Sequence, residues 1–66
     1  MKVLVNGEER EFQNNITIKE LLEVLLVPQQ SVAVEVNLKI ISKENWSKTI
    51  LKENDKVELV RFVGGG

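Results

Sequence analysis

The sequence predicts an α+β domain in which one helix packs on one face of a mixed sheet of four to five strands. Three observations carry that expectation. Strand-period alternation opens and closes the chain, only one stretch has helical period, and turn residues separate the pieces. The order reads β-β-α-β-β-β. One helix cannot cover both faces of a sheet, so the second face is left to water or to a partner.

The first strand is read in "MKVLVNG", where Met1, Val3 and Val5 alternate with Lys2, Leu4 and Asn6. Asn6-Gly7 supplies the positive-φ pair that a tight hairpin turn needs. A more polar second strand follows through Arg10 to Phe12. In "NNITIKELLEVLLVP", Thr17 and Glu20 have the spacing of a capping box, with Ile16 placed as the staple before it. Ile18, Leu21, Leu22, Leu25 and Leu26 then form one apolar stripe at helical period, with Lys19, Glu20 and Glu23 left for water. Pro28 stops the helix and pushes Val27 out of the helical region.

Val32, Val34 and Val36 restart the strand period, with Ala33 and Glu35 on the other side. Asn37 and its neighbours turn the chain into a short strand at Ile40-Ile41. "SKENWSKTI" predicts one helical turn that tucks Trp46 against the core. "KENDK" is a turn, with Asn54 suited to its positive-φ position, and "KVELVRFV" is the last strand. The first and last strands are candidates for parallel neighbours, although alternation alone does not establish the pairing.

Composition limits what such a domain can do. A chain of 66 residues makes one domain, and at this size folding buries only about 60% of the unfolded chain's surface. With 42% apolar and 29% charged residues, a folded core is favoured over disorder. Neither cysteine nor histidine is present. Disulfides, side-chain thiol chemistry, zinc sites of the usual kind and histidine-based triads are therefore excluded. Nine basic and ten acidic residues give a net charge of −1, without the basic excess of a nucleic-acid binder. The short apolar run at the N-terminus reads as neither signal peptide nor membrane span, which makes the cytoplasm the expected location.

The last strand runs into Gly64, Gly65 and Gly66. Glycine loses more backbone entropy on ordering than any other residue and packs nothing. Alone, the run fits equally a frayed end or a slender tail built to enter another protein. The expected division is a domain over residues 1–63 and a flexible tail over 64–66.

Several residues together carry a family resemblance across essentially the whole chain. They are Asn37, Ile40-Ile41, Trp46, Asp55, then Val57, Glu58 and Val60, and finally Gly65-Gly66. At this spacing the chain resembles the ubiquitin-like β-grasp family and, more closely, its ThiS-type sulfur carriers of the thiamine pathway. It departs from that pattern in three places: Lys43 for the usual arginine, Asn54-Asp55 for the usual Gly-Asp turn, and the additional Gly64.

The resemblance implies a chemistry for the tail. A ThiF-type adenylating enzyme, using ATP, would convert the Gly66 carboxylate to an acyl-adenylate. A sulfur donor protein would then displace AMP and leave a C-terminal 1-thioglycine, whose sulfur passes to a ThiG-type thiazole synthase. The chain would be a carrier and co-substrate, not an enzyme, with no bound cofactor and with neither nucleic acid nor membrane as partner. The residues fit that scheme: Gly64 and Gly65 have no Cβ and can thread a narrow channel, and the chain has no thiol or imidazole to divert its own activated end.

A second candidate site is a surface. If Val57 and Leu59 face the helix, Glu58, Val60 and Phe62 face out, and Leu4 joins them from the first strand. Such a patch beside the tail suits partner docking. The alternative is that Phe62 folds back on the core edge, or that the patch is ordinary surface apolarity. Arg61 is expected beyond the core edge, reaching solvent or an acidic partner, because an unpaired buried charge is costly.

Other functions remain open at this point. A molybdopterin-synthase-type carrier shares the diglycine, but usually has a longer chain and a proline-containing approach to it. A TGS-like binding module has a related topology but normally continues into another domain. A truncated or engineered domain with a glycine scar would have the fold without the function.

Overall fold

The computed structural model of the chain describes residues 1–62. Strands β1 (Lys2–Val5), β2 (Glu8–Glu11), β3 (Val32–Val36), β4 (Lys39–Ile41) and β5 (Lys56–Arg61) and helix α1 (Ile18–Val24) follow in the predicted order. The five strands form one mixed sheet in the order β2-β1-β5-β3-β4. β5 lies at its centre, parallel to β1 and antiparallel to β3.

Local chemistry sets each boundary. Asn6 (φ 50°) and Gly7 (φ 84°) make the β1–β2 turn with both central residues at positive φ, the geometry that matches strand twist. The β3–β4 turn has the same form, but with Leu38 (φ 70°) following Asn37 (φ 51°). The helix start is a complete capping box: the Glu20 amide donates to Thr17 Oγ1 at 3.1 Å, and the Thr17 amide donates to Glu20 Oε1 at 2.9 Å.

The helix end differs from the sequence expectation. The apolar stripe was expected to continue through Leu25 and Leu26; Leu25, the C-cap, does pack against the core, but α1 stops at Val24 and Leu26 is 87% exposed. Leu26 takes the left-handed conformation (φ 59°) and donates to Glu23 O, while Val27 donates to Leu22 O at 2.9 Å. These two bonds form a Schellman motif that satisfies carbonyls the helix would otherwise leave unpaired. The restriction that Pro28 imposes on Val27 breaks the helix upstream, and the left-handed turn aims Leu26 away from the sheet. β2 also begins earlier than expected, at Glu8, and all four of its residues are exposed.

One face of the sheet carries the core. Val3, Val5, Val32, Val34 and Val57 meet Ile16, Ile18, Leu21 and Leu22 around the helix, with Leu51 and Trp46 closing the end. Each fully buried aliphatic side chain contributes roughly 1.5–3 kcal/mol. Trp46 follows a 3₁₀ turn at Lys43–Asn45, and its indole N–H donates to Ile41 O at 2.9 Å, so the buried ring leaves no polar atom unpaired.

Candidate functional site

β5 is the element that joins the fold to the glycine segment, so the site is built along it. Its residues alternate across the sheet. Val57 is fully buried and Leu59 packs against the core, whereas Glu58 and Val60 face away from the helix. Register assigns their neighbours on the open face. Ala33 lies opposite Val60, Glu35 opposite Glu58, and Ile40 opposite Glu35. Leu4 joins this face through its pairing with Lys56, half-buried because strands flank it on both sides.

The open face therefore has a shallow depression of about 210 Å³ lined by Ala33, Val34, Glu35, Ile40, Glu58 and Val60. Its apolar rim is exposed: Ile40 by 74% and Val60 by 57%. Phe62, also 57% exposed, follows β5 and donates its amide to Ser31 O at 2.8 Å. The structure thus brings Val60 and Glu58 together, with Phe62 following them in the chain, whereas Leu4 lies opposite Lys56 at the start of β5 and does not line the depression. Arg61 sits opposite Val32 in register and is exposed, so its charge reaches solvent past the core edge. Gly64, Gly65 and Gly66, and the boundary after residue 63, lie outside the described residues.

Electrostatics divide the sheet. Among the described residues, the ion pairs gather at the β1–β2 side: the Met1 amine with Glu11, Lys2 with Glu9, and Arg10 with Glu8. Exposed pairs of this kind each contribute at most about 1 kcal/mol. Glu35 and Glu58 face each other across β3 and β5, and neither has an ion pair among the described residues. Also among the described residues, no three His, Cys, Asp or Glu side chains are grouped to hold a metal ion, and no helix is long and apolar enough to cross a membrane.

Sequence reasoning missed two contributors to this region. Ile40 was read only as part of a short strand, and its facing depends on the β3–β4 register, which alternation within one strand does not supply. Asn6 was read as a turn residue. In the structure its side chain also engages β5: the Leu59 amide donates to Asn6 Oδ1 at 2.7 Å, and Asn6 Nδ2 donates to Leu59 O at 3.4 Å.

A family model described as the ThiS family matches residues 3–66. The chain belongs to the ThiS family. Among similar proteins, the sulfur carrier protein ThiS of Escherichia coli K12 is 30% identical over 66 residues and is covered, like this chain, over 100% of its length. The sulfur carrier protein ThiS of Bacillus subtilis is 36% identical over 63 residues, covering 94% of this chain and 96% of that one. A thiazole synthase of Paramagnetospirillum magneticum is 44% identical over 66 residues, all of this chain but 20% of that protein. A second thiazole synthase, from Magnetococcus marinus, is likewise matched over 20% of its length, so the chain spans one fifth of these larger relatives. The crystal structure of the thiamine biosynthesis protein ThiS from Geobacter metallireducens superposes with a TM-score of 0.87 at 35% identity, over 100% of both chains. With the single helix on a five-stranded mixed sheet, that match establishes the α+β ubiquitin-like β-grasp fold of the ThiS family.

Proposed function

We propose that this chain is a sulfur carrier of thiamine biosynthesis in which the Gly66 carboxylate carries the sulfur. The observation that carries this reading is the position of β5: the central strand of a ThiS-family fold leaves Val60 exposed on the open face and is followed in the sequence by Phe62, Val63 and the three glycines. End-to-end similarity to two proteins named sulfur carrier supports it.

A carboxylate resists nucleophilic attack because its charge is delocalised and an oxide is a poor leaving group. Activation answers both difficulties. A carboxylate oxygen of Gly66 attacks the α-phosphorus of ATP on a ThiF-type enzyme, pyrophosphate leaves, and the acyl-adenylate forms. Hydrosulfide delivered by a donor protein then adds at the acyl carbon, expels AMP and loses its proton, so a C–S bond stands where a C–O bond stood and the end is a thiocarboxylate. Gly64 and Gly65 let the acyl carbon enter a narrow active site, since neither presents a Cβ. The open face around Leu4, Glu58, Val60 and Phe62 docks the enzyme while the tail is threaded.

The acceptor in this reading is a thiazole synthase. A ThiS-like stretch within larger proteins named thiazole synthase supports that pairing. The chain acts in the cytoplasm as a co-substrate; the catalytic groups and the ATP belong to the enzyme that adenylates it. The test is adenylation itself. With a ThiF-type enzyme and ATP, pyrophosphate release should depend on this chain and disappear when Gly66 is deleted; release that persists without Gly66 would place the reaction elsewhere.

A further inference from the structure

We infer that Asn6 is a positioning residue for the reactive tail, a role that rests on the carrier reading above. β1 pairs with β5 at only two positions, Leu4 with Lys56 and Val5 with Val57. Beyond them β5 continues to Arg61, while the other strand has turned away toward β2. The next rung of a parallel ladder would use both main-chain groups of residue 6. Its N–H would donate to Val57 O, and its C=O would accept from the Leu59 N–H. The first bond is present at 2.9 Å. At the second, the turn at Asn6 (φ 50°) rotates the main-chain carbonyl out of reach, and the side-chain Oδ1 accepts from Leu59 instead at 2.7 Å. Asn6 Nδ2 completes the rung by donating to Leu59 O at 3.4 Å.

The side chain thus extends the ladder one residue past the end of its own strand. Among the described residues, this is the last rung on the β1 side of β5 before the glycines. On the other side, β3 and the Phe62–Ser31 bond hold the strand through residue 62. β5 is therefore tied on both sides as far as Leu59, and on the β3 side from there to Phe62, before any enzyme binds. Without the Asn6 side chain, β5 beyond Val57 is held from the β3 side alone, and part of its ordering falls to the binding step, which raises the concentration needed for half-saturation. Glycine also reaches the positive φ that the turn needs, so Asn6→Gly removes the rung while the hairpin can still form.

The experiment compares the whole chain with Asn6→Gly, which keeps the turn and removes the amide, and Asn6→Asp, which keeps an acceptor for the Leu59 N–H. Thr17→Ala, which weakens the helix cap without touching β5, controls for stability. Pyrophosphate release by a ThiF-type adenylating enzyme gives KM and kcat for each chain, and amide hydrogen exchange at Leu59 reports the rung. Asn6→Gly is expected to speed exchange at Leu59 and raise KM by about three- to tenfold with kcat within twofold, equivalent to roughly 0.7–1.4 kcal/mol of binding. Asn6→Asp should recover most of the loss, and Thr17→Ala should lower Tm with KM unchanged. An unchanged KM in Asn6→Gly, or an equal rise in Thr17→Ala, overturns the assignment while leaving the carrier reading intact. Absence of adenylation in the unaltered chain by an enzyme active on another carrier overturns both.

Discussion

Asn37 and Asp55 clasp the β3–β4 turn to the approach to β5. Asn37 Nδ2 donates to Asp55 Oδ1 at 3.0 Å, and the Lys52 amide donates to Asp55 Oδ2 at 2.8 Å. The Lys56 amide in turn donates to Asn37 Oδ1 at 3.0 Å. One carboxylate therefore organises the loop before the central strand and ties it to the far hairpin. Asp55→Ala removes both acceptors and is expected to cost about 1–2 kcal/mol. In a domain of this size each kcal/mol lowers Tm by about 4–8 °C, so thermal unfolding should show the loss clearly. An unchanged Tm would mean that water replaces the clasp without cost.

Leu26 offers the opposite opportunity. Its left-handed backbone disfavours a side chain with a Cβ, and its 87% exposure means the side chain returns little burial energy. Leu26→Gly is expected to stabilise the fold by about 0.5–1 kcal/mol, because glycine is the preferred residue at this position of a Schellman motif. Urea unfolding would check it through a raised midpoint at unchanged slope. A lowered midpoint would show that Leu26 packs on something in solution.

Trp46 reports on the core. Its ring is buried and its indole N–H has a partner in Ile41 O. Trp46→Ala leaves a large cavity at an expected cost of about 3–5 kcal/mol, enough to unfold much of a domain this small. Circular dichroism at ambient temperature decides it: retained native signal with a small Tm change would place the tryptophan outside the core.

The open face should separate binding from folding. Val60 and Phe62 are each more than half exposed, so Val60→Asp and Phe62→Asp are expected to keep Tm within a few degrees. Both should weaken adenylation, seen as a raised KM for the carrier. Unaltered kinetics in both variants would remove this face from the docking surface.

These residues also show what could be read before the structure. The helix start was legible because Thr17 and Glu20 act on each other within one turn, and the strands were legible because their alternation is local. The helix end was not. Leu25 packs on the core as its spacing predicts, but Leu26 extends the apolar stripe by spacing alone, while the influence of Pro28 reaches upstream through backbone sterics that periodicity does not register. Asn6 hid its second role because the turn already accounts for an asparagine there. Its bond to Leu59 spans 53 residues and depends on the parallel β1–β5 pairing. Ile40 is similar, since its face follows from register between strands. The tail glycines took their meaning from family resemblance, as no packing pattern distinguishes a functional glycine run from a frayed one.

Sulfur carried at the carboxylate of Gly66 changes the mass of the chain, and intact mass detects that change. The whole chain is incubated with ATP, a sulfur source and a ThiF-type adenylating enzyme of demonstrated activity, and weighed before and after. The predicted result is a gain equal to replacing one oxygen by sulfur, lost when Gly66 is deleted and confined to the C-terminal fragment after proteolysis. An unchanged mass, or a gain that survives deletion of Gly66, would contradict it.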